Sequence, residues 1–152
     1  MASVIIKNKK DLIKVFEIRV AKALALTQNE ICKAIMQSLS NYYHEPVFNG
    51  RSVPDQYLRT YKFLDSIIKT EVVKSGSNFS CTVGVNDAYL DYTYSGGATG
   101  QMVWEWANAE THGGTIQGNL EVWNNAIDSI GGKEGIIRLM KQNLKKCGVH
   151  VV

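Results

Sequence analysis

The side chains of this chain best suited to bond chemistry crowd one window, Trp104-Glu105-Trp106-Ala107-Asn108-Ala109-Glu110-Thr111-His112-Gly113-Gly114. Glu105 and His112 stand seven residues apart and Asn108 and His112 four apart, spacings that place them on one face of a helix. Two carboxylates and an imidazole are the ingredients of a metal site or an acid–base pair. A zinc-like site, however, takes three or four protein ligands. The remaining histidines, His44 and His150, fall in an expected loop and close to the end of the chain. No HExxH, no Gly-rich phosphate loop and no nucleophile elbow occurs. The plainer reading is that His112 ends a helix ahead of Gly113-Gly114. The expectation is therefore a protein without enzymatic activity or cofactor. A small metal-dependent hydrolase around Glu105, Glu110 and His112 is the alternative.

A second cluster, Tyr57, Arg59, Tyr61, Lys62 and Phe63, interleaves aromatic and basic residues. That pattern can stack on single-stranded nucleic acid. Tyr42, Tyr43, Tyr57 and Tyr61 equally suit the edge of a core, with ring packed and hydroxyl wet. A nucleic-acid-binding module is thus a further alternative, and any DNA contact is expected to be incidental. Cys32, Cys81 and Cys147 are three in number and far apart, so neither a disulfide framework nor a CxxC metal pair is readable. They are expected to be free, mostly buried thiols.

The elements that must position these residues follow from periodicity. Apolar residues recur at Leu12, Phe16, Val20, Ala23, Leu26 or Thr27, Ile31, Ile35, Leu39 and Tyr42, which predicts a helix over about 9–43. Asn8 or Lys9 starts it, with Asp11 favourable to the first-turn dipole. At ~1.5 Å per residue it spans about 50 Å, so it either kinks or projects part of its surface towards a partner. Ser3 to Lys7 can form a short strand before it. Pro46 ends the helix, and Asn49-Gly50 and Val53-Pro54-Asp55 mark a long loop. Thr60 can cap a helical turn to Ser66. A hairpin then occupies about 67–86. Ile68, Thr70 and Val72 alternate on one strand, and Phe79, Cys81, Val83 and Val85 on the other, about a Ser75-Gly76-Ser77-Asn78 turn. One face is apolar, so the long helix should cover it. Asp87 to Tyr94 adds a strand or ordered loop. Short helices follow over 102–111 and 121–130, the second ended by Gly131-Gly132. A last helix runs from about Lys133 to Cys147 with Gly148 as its stop. The order defines an α+β domain: a long N-terminal helix on a small antiparallel β-sheet, with C-terminal helices.

The 152 residues, 45% hydrophobic and 20% charged with 2 Pro, suit a single domain over 1–152 rather than a disordered chain. No apolar run approaches the ~20 residues of a membrane span. Met1-Ala2-Ser3-Val4-Ile5-Ile6-Lys7 is not expected to be a secretory signal. The net charge of +3 conceals an uneven distribution. Residues 1–76 hold 12 Lys/Arg against 7 Asp/Glu, and residues 77–152 hold 5 against 7. Between Lys74 and Lys133 there is no Lys or Arg, only Asp87, Asp91, Glu105, Glu110, Glu121 and Asp128. Such blocks are either ordinary solvated surface or faces of opposite sign that meet between neighbouring copies.

The run Tyr57-Leu58-Arg59-Thr60-Tyr61-Lys62-Phe63-Leu64-Asp65-Ser66-Ile67 carries a more specific signal. A Tyr-x-Arg-Thr-x-x-x-Leu-x-Ser-Ile stretch after a long helix and a Pro-containing loop resembles the gene-product-10-like tail-component family of Hong Kong 97-type long-tailed phages. That family is related to neck and tail-completion proteins. The hairpin, His112-Gly113-Gly114 and Leu120-Glu121-Val122-Trp123 continue the layout. The chain departs from it in Tyr61, where relatives place Gly, and in a longer loop from Val47 to Val53. The resemblance implies a virion structural protein of the neck or tail, made in the host cytoplasm. It would act as a ring homo-oligomer, with other neck, portal-side and tail proteins as partners. It marks Tyr57, Arg59, Thr60, Leu64, Asp65, Ser66, His112 and Gly113 as motif or interface positions. Arg59 can pair with Asp65 or with a neighbour's acid. Equally, Arg59, Thr60, Asp65 and Ser66 can simply fix the turn between loop and hairpin.

Overall fold

The computed structural model describes residues 6–44, 65–90, 102 and 121–151. Helix α1 runs Lys9–His44 as one element of 36 residues. Its start is capped as the sequence suggests. The Asn8 side chain accepts the Asp11 backbone N–H at 3.0 Å, and the Asp11 carboxylate accepts that of Lys7 at 3.1 Å. The strand expected over 3–7 falls largely outside the described residues, and Ile6 and Lys7 carry no regular structure.

The hairpin consists of β1 (Ile67–Lys69), β2 (Val73–Ser75), β3 (Asn78–Ser80) and β4 (Val83–Val85). β2 pairs with β3 around Gly76-Ser77, and β1 with β4, both antiparallel. Gly76 supplies φ +61° at the first central position of the turn, the signature of a type II′ hairpin. The two ladders differ by one residue in register. Lys69 pairs with Val83 and Val73 with Ser80, leaving Thr70, Glu71 and Val72 opposite Cys81 and Thr82. The extra residue is a β-bulge on the outgoing arm.

The bulge corrects the expected face. A bulge reverses side-chain parity along its own strand and leaves the partner's intact. On the returning arm Phe79, Cys81, Val83 and Val85 are all half-buried, as the alternation predicts. On the outgoing arm Ile67, not Ile68, packs on the core, and Ile68 is exposed. Beyond the bulge Val72 is half-buried and Val73 exposed. α1 lies over the hairpin's covered face.

A 3-10 turn over Asp87–Leu90 follows the hairpin. Met102 is helical, and the rest of the helix expected over 102–111 lies outside the described residues. Helices α2 (Val122–Ser129) and α3 (Gly132–Lys146) match the expected pair to within a residue or two. Between them Gly131 and Gly132 take φ of +87° and +64°, so the chain reverses at once. α3 ends in a Schellman motif: Gly148 N–H bonds the Lys145 carbonyl and Val149 N–H that of Leu144, both at 2.9 Å.

The core is built from Ile35 and Leu39 of α1 with Val122 and Ala126 of α2. Ile31, Ala34, Ile67, Val83, Val85 and Trp123 close around it. Burying each of the large aliphatic side chains is worth roughly 1.5–3 kcal/mol. The apolar stripe of α1 is not buried throughout. Ala23, Thr27, Ile35 and Leu39 are buried, while Leu12 and Phe16, expected on the core face, are exposed.

Gly135 of α3 faces the end of α2 so closely that a Cβ there would run into the Ile130 carbonyl. Backbone cannot retreat as a flexible side chain can. Gly135→Ala is therefore expected to lose about 1–3 kcal/mol or more, seen as a lower urea midpoint at unchanged m. Gly84→Ala, which meets nothing within 4 Å, should stay within about 0.5 kcal/mol. Equal midpoints for the two variants would refute the close approach.

Candidate functional site

The chemistry-bearing residues singled out in the sequence divide by position. Tyr57, Arg59, Thr60, Leu64, Glu105, Glu110, His112 and Gly113 lie outside the described residues. Asp65 and Ser66 are described. Asp65 is exposed, whereas Ser66 is fully buried at the base of the hairpin. The Ser66 carbonyl accepts the Asn86 N–H at 2.8 Å, extending the β1–β4 ladder by one rung. Asn86 then turns the chain, its side chain accepting the Ala88 N–H at 3.2 Å and its carbonyl the Tyr89 N–H at 3.0 Å. The backbone at position 66 thus closes the hairpin. Among the described residues no group of three His, Cys, Asp or Glu is placed to hold a metal ion. Cys32, Cys81 and Cys147 are free, and each is half-buried rather than buried. Burial pushes the Cys81 thiol up from its ordinary value.

Two adjacent polar residues at the middle of α1 tie the described elements together. Thr27 and Gln28 are both buried. The Thr27 hydroxyl lies 2.9 Å from the Ala23 carbonyl and 3.4 Å from the Met140 sulfur, two acceptors for its one proton. Its oxygen accepts from the Asn143 Nδ2 of α3 at 3.1 Å. Asn143 is itself buried. Gln28 points the other way. Its Nε2 donates to the carbonyls of Thr70 and Thr82, both at 2.9 Å. At the bulge the Thr82 N–H bonds the Thr70 hydroxyl at 2.8 Å, and Gln28 supplies the Thr70 carbonyl with a donor. One turn of α1 thus fastens α3 and the hairpin at once.

Further ties run along α1. Ser38 donates to the Val122 carbonyl at 2.9 Å, Lys69 to the Asn29 side chain at 2.6 Å, and Arg19 to the Gly148 carbonyl at 3.0 Å. Lys74 pairs with Glu17 at 2.7 Å. An open groove lies between α1 and the bulge, lined by Lys22, Gln28, Asn29, Lys69 and Glu71 among others. Lys69 and Asn29 bond each other there and Gln28 bonds the bulge, so the groove is a seam between elements rather than a nucleophile–base pair.

Sequence reasoning missed Gln28 and Asn143 and left Thr27 as an alternative to Leu26. For Thr27 and Gln28 the signal was a polar residue on the covered face of a Gly- and Pro-free helix.

The YomN family model matches residues 8–146, which span α1, the hairpin and both C-terminal helices. The chain belongs to the YomN family, and that membership points to a phage-associated protein. No curated protein and no solved structure matches the chain. None of the described helices is long and apolar enough to cross a membrane.

Gln28→Leu should lose about 1–3 kcal/mol in urea unfolding, because the Thr70 carbonyl at the bulge loses its donor. For the other tie, a double-mutant cycle of Thr27→Val with Asn143→Leu should return a coupling of about 0.5–3 kcal/mol. Strict additivity there would mean that the two side chains do not act together.

Proposed function

We propose that this chain is a bacteriophage virion structural protein of the neck or tail, joining head to tail or completing the tail. It acts by binding, register and closure of a ring of identical copies, without bond chemistry or cofactor. Its partners are further copies of itself and neighbouring portal-side and tail proteins. It is made in the host cytoplasm and resides in the virion, and its contact with DNA is incidental.

The observation that carries this reading is the match to a phage-associated family along residues 8–146. The Tyr57–Ser66 motif and the order of elements support it from the sequence side. So does the segregation of charge, which suits a subunit that presents one face to the unlike face of the next copy.

Deleting the gene from a phage that carries it should leave filled heads and finished tails that do not join into stable particles. Electron microscopy of the lysate reads the outcome directly. Normal yields of joined, infectious virions from the deletion would overturn the proposal.

A further inference from the structure

Among the described residues, α1 outruns the elements packed against it. Its last tie to α3 is Arg19, held to the Gly148 carbonyl, and its last tie to the hairpin is Glu17, paired with Lys74. From Lys9 to Phe16 the helix continues for about two more turns. No residue of α1 before Ala23 is buried. Leu12 and Phe16 are each 53% exposed, and Ile13 is 47% exposed. These are not stray apolar residues on the outer surface. Leu12 and Phe16 lie at four-residue spacing on the stripe that continues through Val20 and Ala23 to Thr27, where α3 covers it. The covered face of the helix thus runs on past its cover.

The charges are sorted along the same axis. Around the uncovered end stand Lys9, Lys10 and Lys14, all exposed. The last turn of α3, beside Arg19, adds Lys145 and Lys146. The nearby acids are engaged, Asp11 with the Lys7 N–H and Glu17 with Lys74. The opposite end of α1 is where α2 and the base of the hairpin pack, through Ile35, Leu39, Val122 and Ile67. It carries Asp65, Glu121, Asp128 and Glu134, against Lys133 and Arg138, whose guanidinium lies at the turn between α2 and α3. From Phe16 to Ser38, which bonds Val122, is 22 residues of helix, or about 33 Å. The two poles therefore cannot meet within one copy, since a Debye length at physiological salt is only about 8 Å.

We propose that the uncovered N-terminal end of α1, with Leu12, Ile13 and Phe16 ringed by Lys9, Lys10 and Lys14, docks on the acidic α2 end of a second copy of this chain. The contact is heterologous, head to tail, and its repetition closes a ring or extends a filament. Burial of the three apolar side chains supplies the affinity. The opposed charges set register and suppress head-to-head contact. The second copy is the occupant because the chain itself carries the complement, in the acids Asp65, Glu121 and Asp128 at its α2 end.

This inference rests on the assembly reading above, but its readout is separate. Sedimentation velocity on the purified full-length chain, over a wide concentration range and at low and high salt, tests it. The wild type should associate reversibly, and less so as salt rises. Phe16→Asp, and separately Lys9→Glu/Lys10→Glu/Lys14→Glu, should each weaken association at least about tenfold. The triple lysine variant should keep its melting temperature, because those side chains are exposed, and Phe16→Asp should still unfold cooperatively, because no residue of α1 before Ala23 is buried. Asp65→Lys/Asp128→Lys should weaken it similarly, and mixing that variant with the triple lysine variant should restore association. A wild type that stays monomeric at every concentration overturns the proposal. So does a Phe16→Asp variant that assembles normally, or a charge-swapped mixture that fails to associate. Phe16-dependent binding to phosphatidylglycerol vesicles or duplex DNA by a monomeric wild type would assign the surface to another occupant, also overturning it. If the purified chain does not associate while the gene deletion still blocks joining, this inference alone falls. If it associates as described while the deletion phage is normal, the functional reading falls instead.

Discussion

Two neighbouring residues at the middle of α1 carry the constraint on which the arrangement depends, because they hydrogen-bond to two different elements. Thr27 takes the amide of Asn143 on α3, while Gln28 reaches two carbonyls of the hairpin. Adjacent helical residues sit about a hundred degrees apart around the axis, so two such side chains can hold two different elements. Buried polar groups are costly unless satisfied, which makes the arrangement specific as well as stabilising. Sliding α3 or the hairpin along α1 would strand donors and acceptors in the interior. The aliphatic cluster around Ile35 and Leu39 supplies cohesion, but hydrophobic contact alone is indifferent to small shifts in register.

The hairpin shows how this constraint and the bulge depend on each other. An unbroken ladder from Ile67 would keep the Thr70 carbonyl in register with its neighbours. The extra residue removes it from regular pairing, the Thr70 hydroxyl substitutes on the partner's N–H, and Gln28 bonds the carbonyl. The same insertion reverses the parity of the outgoing arm. Val72 and Lys74 then turn towards α1 beyond the bulge, and Lys74 reaches Glu17. A one-residue irregularity in the strand thereby decides which side chains meet the helix along its N-terminal half.

Ties along α1 also define where the helix is left alone. Ser38, Gln28, Thr27, Arg19 and Glu17 mark successive points at which another element is held, and among the described residues no tie between elements lies N-terminal to Glu17. What remains is a cationic, apolar helix end separated from the acidic pole by most of the helix's length. The long helix is the spacer that keeps these two ends apart.

Much of the secondary structure was legible in the sequence because its causes are local. The absence of Gly and Pro over 9–43 and the three-to-four spacing specify α1, Asn8 with Asp11 specify its start, and Gly76, Gly131 and Gly148 mark reversals that need positive φ. Of the motif, Ser66 meets the hairpin through its backbone carbonyl, which any residue there would offer. What could not be read locally depended on partners far along the chain. Periodicity marks Leu12 and Phe16 as apolar stripe residues, yet only the length of α3 and the reach of the hairpin decide that they stay uncovered. Likewise the β-branched alternation cannot reveal a bulge whose orphaned carbonyl is completed by Gln28, 42 residues away. Local propensity determined the elements. Which of their faces are covered, and which stay exposed, was decided only when the elements were set against one another.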